Sequence, residues 1–326
     1  MAKPWRERVT MEDIAKLAGV AKITVSRALQ DSPLVRAEVR ERVKAVARSH
    51  GYRLNTTARN LRLQRTHSVT AVIEMEPSGE RPISEPIVLM QIGGLLQELA
   101  QARYQLVLTT RSMIETDGPA DADGIVLLGQ GANDEATQRI REFGLPFVVW
   151  GVPRVDIDAI FVCSDNVEGG ARVGRHLVEQ GRRRIVYLGD TSHSEVHERV
   201  RGMTGALGRK AKIIQRSCAF SQAAGRAATI ELLENGVDFD AIATASDAMA
   251  LGAMAALTEA GKRVPEDVAV VGYDDVAGEA GLTSVRQEWA LSGRVLARKI
   301  LEIVAGKPAA GEQLPVQLVV RASSRD

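Results

Sequence analysis

Cysteines, aromatic residues and long apolar runs are all scarce in this sequence of 326 residues. Two cysteines, Cys163 and Cys218, are too few for a disulfide framework or a cysteine-based zinc site, and both are interpreted as small buried apolar residues. No apolar run approaches the roughly 20 residues that a membrane-spanning helix needs. The N-terminus lacks the apolar region of a signal peptide, so the expected location is the cytoplasm.

Catalytic and nucleotide-binding motifs are missing as well. The sequence contains no P-loop, no H-E-x-x-H and no G-x-S-x-G motif. Gly129-Gln130-Gly131 lacks the third glycine and the acidic partner of a dinucleotide site, so it predicts a loop after a strand. His193 and His197 are four residues apart without a third ligand, which favours a solvent-exposed pair over a metal site. We therefore expect neither an enzyme nor a cofactor.

Composition is otherwise that of a globular protein, with 45% apolar and 25% charged residues. The net charge of +1 conceals an uneven distribution, because residues 1–66 contain 15 Lys and Arg against 6 Asp and Glu. The remaining chain contains 27 basic against 35 acidic residues. Such a basic head on an acidic body indicates either a polyanion-binding module or only a charged helix surface.

The basic head is predicted to contain three short helices. Thr10 and Asp13 form a capping-box pattern, followed by an apolar stripe, and Gly19 ends the first helix. The second helix is predicted over 22–29 and the third over 37–50, with Gly51 ending it. A tight turn between the first two helices is typical of a helix-turn-helix unit. The apolar positions predicted to face inward are Ile14, Ala15, Leu17, Ala18, Val25, Ala28, Leu29, Val39, Val43, Val46 and Ala47.

The segments DIAKLAGV, TVSRAL and GYRLN, in this order, resemble the DNA-binding headpiece of the lactose/galactose repressor family. The resemblance implies that Lys22, Ile23 and Arg27 read bases in the major groove, and that Thr10, Thr24 and Ser26 contribute to the DNA interface. Ile23 can alternatively be a core residue, although Val25 and Leu29 already supply the inward face. Two positions depart from the family pattern: Ala21 and Arg36 stand where capping Ser or Thr residues are usual.

Residues 55–62 resemble the hinge helix of the same family, which orders when two copies pack over a bent minor groove. The resemblance places Asn55, Ala58 and Leu61 in the DNA interface, with Leu61 as the wedge between base pairs. A plain linker with Leu61 against the body is the alternative. The expected domains are a headpiece over 1–54, a hinge helix and linker over 55–67, and a two-lobed body over 68–326.

The acidic body alternates short apolar runs with amphipathic helices, which predicts doubly wound parallel sheets in an α/β fold. The predicted helices include 89–102, 134–143, 169–180 and 248–260. We expect two lobes with the ligand between them, beyond the carboxyl ends of the strands. The predicted strands are 69–73, 105–108, 124–128, 147–150, 184–188, 241–244 and 268–271.

This region also resembles the family's regulatory domain, of the periplasmic-binding-protein-like fold. The resemblance places five residues at the effector: Arg199, Asp274, Ser246, Phe220 and Trp150. Each has a structural alternative, namely an ion pair for Arg199, core positions for Trp150 and Phe220, and a turn cap for Asp274. Asp247 is interpreted as the N-cap of the following helix.

Three departures concern the ligand pocket. Ile87 and Val88 stand where the sugar-responsive branch has aromatic residues, and Gly151 stands where some members have an acidic ligand contact. The segment DVAGEAGL at 275–282 is shorter than usual for the family.

The sequence thus predicts a homodimeric transcription regulator that binds a palindromic double-stranded operator and a small effector, most simply a saccharide. A purine, sugar acid or sugar phosphate effector is the alternative, and a free solute-binding protein or a hydrolase is a remote one. The sequence leaves open whether the effector releases the operator or strengthens its binding.

Overall fold

The computed structural model describes residues 9–52, 65–74, 85–119 and 121–325. The chain divides into two compact units, Met1–Thr66 and His67–Asp326. No helix in the described ranges is long and apolar enough to cross a membrane.

The first unit contains three helices, α1 (Met11–Ala18), α2 (Lys22–Leu29) and α3 (Ala37–Ser49). Thr10 and Asp13 form the predicted capping box, and Gly19 ends α1 in the left-handed conformation with φ 63°. Ala21 and Arg36 precede α2 and α3 without any side-chain cap, as their residue types imply.

A small apolar core joins the three helices, centred on Ile14, Val25, Ala28, Val43 and Ala47. The prediction that Leu17 belongs to the buried stripe is wrong, because its side chain is 54% exposed. Leu17 follows Ile14 by three residues, but Ala15 and Ala18 take the inward positions on so short a helix.

The second unit contains two six-stranded sheets, which define two lobes. The first sheet has the order β11-β5-β4-β3-β1-β2 and the second has the order β12-β10-β9-β8-β6-β7. The strands of the first sheet are β1 (Ser68–Ile73), β2 (Gln105–Thr110), β3 (Gly124–Leu128), β4 (Phe147–Trp150), β5 (Ile160–Ser164) and β11 (Glu312–Leu314). Those of the second are β6 (Arg184–Leu188), β7 (Lys212–Arg216), β8 (Ala241–Thr244), β9 (Ala269–Asp274), β10 (Thr283–Arg286) and β12 (Gln317–Val319).

All strand pairs in the two sheets are parallel except β10 with β12. Strands β1, β3, β8 and β9 are fully buried and largely apolar, as expected for parallel strands whose sheet is covered by helices on both faces. The helices are α4 (Pro86–Gln101), α5 (Arg111–Asp117), α6 (Glu135–Arg141), α7 (Asn166–Glu179), α8 (Ser194–Leu207), α9 (Gln222–Glu234), α10 (Asp247–Glu259) and α11 (Trp289–Val304). The predicted doubly wound, two-lobed α/β body is therefore confirmed.

The chain passes between the lobes three times: after β5, between β10 and α11, and between β11 and β12. Helix α11 returns to the first lobe, where it packs along α4. Each lobe therefore combines segments that are distant in sequence. The carboxyl ends of the strands in both sheets face the space between the lobes, where a ligand is expected in this class of fold.

Candidate functional site

In the first unit, the side chains of α2 divide into a buried and an exposed set. Val25 and Ala28 are fully buried, whereas Ile23 is 53% exposed and Lys22 and Arg27 are exposed. The core alternative for Ile23 is therefore excluded. Thr24 and Ser26 are half-buried, and the Ser26 hydroxyl accepts a hydrogen bond from the Gln30 amide at 3.3 Å.

Thr10 lies at the start of α1, where its hydroxyl donates to the Asp13 carboxylate at 2.7 Å. The exposed surface of α2 combines two cations and a large aliphatic side chain, which suits contact with phosphates, base edges and thymine methyl groups. Asn55, Ala58 and Leu61 lie outside the described residues.

In the second unit, a cavity of about 370 Å³ lies between the two lobes. Its walls come from the ends of strands in both sheets, from the start of α4 and from the crossover into α11. This volume is within the usual range for small-molecule sites, about 300–1,000 Å³. Four of the five predicted effector residues line it: Trp150, Arg199, Phe220 and Asp274.

Arg199 lines the cavity and is held by groups from three separate segments. Its Nε donates to the Asn166 side-chain oxygen at 2.9 Å, and Nη1 donates to the Ala245 carbonyl at 2.8 Å. The guanidinium carbon lies 3.7 Å from the ring centre of Tyr273. Burial disfavours the charge, but attraction to Tyr273 and then Asp274 outweighs it, so the pKa of Arg199 is raised. Arg199 is therefore a cation held in place by neutral hydrogen-bond partners, with the Asp274 carboxylate as a nearby opposite charge.

Asp274 ends β9 and is buried beside Arg199. Its carboxylate accepts a hydrogen bond from the side-chain amide (Nε2) of Gln287 at 2.8 Å. Asp274 and the following Asp275 have φ of 111° and 58°, conformations that are uncommon for residues other than glycine. Such backbone is found preferentially where a chain is held around a ligand.

Aromatic side chains form two contacts in the cavity lining. Trp150 and Trp289 have ring centres 5.5 Å apart, and Phe220 meets His193 edge-on at 5.1 Å. Trp150 and Phe220 are half-buried, so both keep surface for a ligand and neither is a closed core residue. Trp289 was not predicted for the site; it is the first residue of α11 and comes to the cavity only through the fold.

Ser246 differs from the prediction that it faces the cleft. Its hydroxyl accepts a hydrogen bond from the Met249 amide and caps α10, and Ser246 is not among the described residues that line the cavity. The prediction that Asp247 is this N-cap is also wrong. The Asp247 carboxylate accepts hydrogen bonds from the amides of Val276 and Ala277 instead, and so it anchors the short 275–282 loop.

Neutral polar side chains complete the lining, and sequence reasoning did not identify them. Asn166, Gln287, Gln91 and Ser164 are each at least nine-tenths buried. The Ser164 hydroxyl is buried without a hydrogen-bond partner among the described residues. Ser164 ends β5, a strand missing from the sequence prediction, so its place in the site had no signal.

The three pocket positions that depart from the family pattern, Ile87, Val88 and Gly151, all lie in the cavity wall. Ile87 and Val88 line the cavity as aliphatic residues. At Gly151 a Cβ atom would lie 2.2 Å from Cγ of Gln130, so the Gln130 side chain occupies the space of a larger residue there. Gln130 is fixed by bonds to Val152, accepting from its amide at 2.6 Å and donating to its carbonyl at 2.8 Å.

The prediction of a solvent-exposed histidine pair is right for His197 and wrong for His193, which is half-buried in the cavity lining because its ring packs edge-on against Phe220. Gly129-Gln130-Gly131 follows β3 as a loop, as predicted. No cluster of three metal-ligating side chains occurs among the residues that the structure describes. Cys163 lies in the cavity wall, where burial raises the pKa of its thiol to about 11, whereas Cys218 is only half-buried.

A helix-turn-helix unit joined to a two-lobed ligand-binding body defines a class of ligand-responsive DNA-binding proteins. Residues 10–55 match the model of the bacterial regulatory proteins of the lacI family, and residues 175–324 match a periplasmic binding protein-like domain. The HTH-type transcriptional regulator CelR of Thermobifida fusca is 35% identical, over 97% of this chain and 96% of the relative. The lactose operon repressor of Escherichia coli is 28% identical, over 96% of this chain and 90% of the relative.

Two solved structures of transcription regulators superpose on this chain. A CelR–cellobiose complex superposes with a TM-score of 0.71 and 32% identity, covering 97% of this chain and all of that chain. A Lac repressor dimer bound to operator superposes with a TM-score of 0.87 over 98% of this chain and all of that chain, and its 24% identity supports the fold alone. The chain belongs to the lacI family of bacterial regulatory proteins, and it is a DNA-binding transcription regulator.

Proposed function

We propose that the protein is a dimeric repressor that binds a palindromic operator through α2, and whose operator affinity changes when an uncharged saccharide occupies the cavity. The lining of the cavity is the observation that carries the choice of effector. Indole and phenyl surfaces lie there beside neutral amide and hydroxyl groups, which suits the apolar faces and the hydroxyl groups of a sugar ring.

The charged residues of the cavity argue against an anionic effector. Four carboxylates, from Glu74, Glu135, Glu195 and Asp274, share the lining with the two guanidinium groups of Arg111 and Arg199. Arg111 already pairs with Glu74 at 3.1 Å and with Glu135 at 3.6 Å. A sugar acid or sugar phosphate would add negative charge to a lining that is already negative, in a partly buried site where repulsion is strong.

The relatives favour a disaccharide among neutral sugars. CelR of Thermobifida fusca is among the most similar relatives, and a CelR structure contains cellobiose. Purine repressors are also among the relatives, at 28% identity for the one from Mannheimia succiniciproducens. Cellobiose is therefore the first ligand to test, and a purine is the matched alternative.

The DNA interface is proposed from the exposure of α2. Lys22, Ile23 and Arg27 are proposed to contact base edges, with Arg27 donating to a guanine, while Thr24 and Ser26 contact phosphates. Thr10, Asn55, Ala58 and Leu61 complete the proposed interface. The excess of basic residues in 1–66 supplies the affinity that is independent of sequence.

The proposed dimer face lies at the β2 edge of the first sheet. Helices α4 and α5 both contact β2, and these three elements carry exposed large apolar side chains. Exposed apolar clusters at a sheet edge are typical of association surfaces. A second copy is the proposed partner, since a palindromic operator requires two headpieces about one helical turn apart. The residues are Leu89, Met90, Leu96, Leu108 and Met113.

Fluorescence anisotropy on labelled DNA from upstream of the gene tests this function. The titration compares that DNA with unrelated DNA over a salt series, with cellobiose, cellobionate, cellobiose 6-phosphate and hypoxanthine as effectors. We expect tight binding to the upstream DNA that cellobiose alone changes. Because the coupling is reciprocal, saturating operator must change the affinity for cellobiose by the same factor.

The outcomes separate the parts of the proposal. Specific binding that responds to hypoxanthine or to an anionic sugar would overturn the neutral effector and leave the DNA-binding function intact. Equal affinity for both DNAs under every condition would overturn the proposed operator.

A further inference from the structure

Two segments from opposite lobes meet beside the cavity. The backbone N–H of Asn133 in the first lobe donates to the backbone carbonyl of Ser192 in the second lobe at 3.0 Å. The Ser194 hydroxyl donates to the Asp134 carboxylate, with its oxygens at 3.1 and 3.4 Å. Each segment also supplies cavity lining, through Gly131, Ala132 and Glu135 on one side and His193 and Glu195 on the other. These hydrogen bonds therefore join the two walls of the site directly.

Asp134 is held firmly within its own lobe. Its side chain is 2% exposed, and the Arg154 guanidinium donates to its carboxylate at 2.5 Å. Arg154 is fixed in turn by two hydrogen bonds of 2.9 Å to Asp156. The carboxylate that accepts the hydrogen bond from Ser194 is thus held in place before the lobes close, which lowers the entropy cost of the cross-lobe bond.

The backbone at this contact is in an uncommon conformation. Asn133 and Asp134 have φ of 54° and 61°, two consecutive left-handed residues neither of which is glycine. Such residues persist where the surrounding contacts fix them, and they cluster at ligand clamps. Here the conformation directs both the backbone N–H of Asn133 and the carboxylate of Asp134 towards the second lobe.

We propose that Asp134 and Ser194 are positioning residues that hold the two lobes closed over the effector. The inference rests on the proposed function only in taking the cavity as the effector site. A ligand that touches both walls binds only the closed arrangement, so its affinity falls by the factor by which closure becomes less populated. The contact is expected to act on the residence time of the effector.

Ser194→Ala is the direct test, since it removes the cross-lobe bond and leaves the Asp134–Arg154 pair in place. With cellobiose as the probe, we expect a dissociation constant about tenfold higher, of the order expected for one hydrogen bond to a charged group. The change should appear in the dissociation rate, followed by stopped-flow fluorescence of the tryptophans in the cavity. Asp134→Asn keeps an acceptor for Ser194 and should give a smaller effect. Thr116→Ala, which removes a hydroxyl bonded within its own helix, is the control.

A ligand-independent measurement separates this proposal from the proposed function. Spin labels at Gln138→Cys and Thr204→Cys, in a Cys218→Ser background, report the distance between the lobes without any sugar. We expect Ser194→Ala to broaden that distance distribution towards longer separations, whether or not cellobiose proves to be the effector. An unchanged distribution in Ser194→Ala, or a lower melting temperature with unchanged distance and dissociation rate, would overturn the proposal.

Discussion

Arg199 illustrates how a single side chain can serve the effector site and the fold together. Its partners come from the start of α7, the residue that follows β8 and the strand β9. A buried guanidinium needs this many partners because an uncompensated charge in the interior costs several kcal/mol. Substitution at Arg199 would therefore disturb three elements, and less disruptive residues make better tests of function.

Arg27→Ala tests the assignment of the recognition helix. Loss of a bidentate contact to guanine is expected to reduce the preference for operator over unrelated DNA by about 1–3 kcal/mol, or roughly five- to 150-fold. Anisotropy on both DNAs measures the preference, while dimerisation and sugar binding should not change. Arg209→Ala removes the same side chain from the exposed surface of the body and is the matched control. Normal operator preference in Arg27→Ala would show that α2 is not the recognition helix.

His176 predicts a loss of stability at mildly acidic pH. Its imidazole is buried on α7, with Nε2 2.7 Å from the Ser324 hydroxyl, and burial lowers its pKa below 6.5 while Glu179 partly offsets this. The unfolded chain therefore binds the proton first, so the free energy of unfolding falls as pH drops from about 6.5 towards the folded pKa. Urea midpoints at pH 7.5 and 5.5 should show the loss.

The matched variants for this prediction are His176→Gln and His197→Gln. His176→Gln retains a hydrogen-bonding side chain beside Ser324, and its midpoint should vary less between the two pH values than that of the native protein. His197 is exposed on α8, and its variant should keep the native slope. Equal slopes in all three proteins would exclude His176 as the titrating group.

At the scale of elements, the close packing of α7 against α8 sets the position of Arg199. A Cβ atom at Gly202 would lie 1.9 Å from the Val167 carbonyl oxygen, and one at Gly170 would lie 1.8 Å from the carbonyl oxygen of Arg199 itself. The two helices therefore approach backbone to backbone, which only glycine permits at these positions.

Gly202→Ala should force the two helices apart, at a cost of about 1–3 kcal/mol in the free energy of unfolding. Because α8 carries Arg199, sugar affinity should fall as well. Urea denaturation and calorimetric titration with cellobiose measure the two effects. Gly205→Ala, on the same helix with open space around the new Cβ, should lose neither stability nor affinity. Equal behaviour of the two variants would contradict the packing argument.

The elements also show how much could be predicted from the sequence. The central strands β3, β4, β6 and β8 coincide with the predicted ranges, because buried parallel strands are continuous apolar runs bounded by polar residues. The predicted strands omit β5, β7, β10, β11 and β12. Except for β5 these are short or carry polar residues, and their pairing depends on neighbours that tertiary structure brings to them.

The same distinction applies to the site. Trp150, Arg199 and Asp274 follow recognisable motifs or strand ends, and all three line the cavity. Ser246 and Asp247 are adjacent polar residues after β8, and sequence alone could not decide which one caps the helix. The contact of Asp134 with Ser194 joins residues 60 positions apart, so no local sequence pattern predicts it.

At the scale of the whole molecule, the apolar edge at β2 predicts the effect of a charge on assembly. Leu96→Glu should shift the protein from dimer to monomer in sedimentation velocity, because the proposed face would bury an unpaired carboxylate. Operator affinity should then fall by a factor on the order of 10²–10⁴, since the second headpiece no longer binds intramolecularly. Sugar binding should persist, because the cavity lies within one chain.

Val155→Glu is the matched control, since Val155 is fully exposed in the same lobe but lies outside the β2 edge. It should remain a dimer with native operator affinity. A Leu96→Glu protein that stays dimeric would place the interface elsewhere.

The three passages of the chain between the lobes also affect the order in which the protein can be completed on the ribosome. The first sheet begins with β1 at residue 68 but gains its last strand, β11, only at residues 312–314. The second sheet likewise remains incomplete until β12, at residues 317–319, has been synthesised. Neither lobe can finish its core until nearly all of this sequence has emerged, whereas the three-helix unit is ready after some 50 residues. During synthesis, the DNA-binding head is therefore expected to fold well before the domain that regulates it.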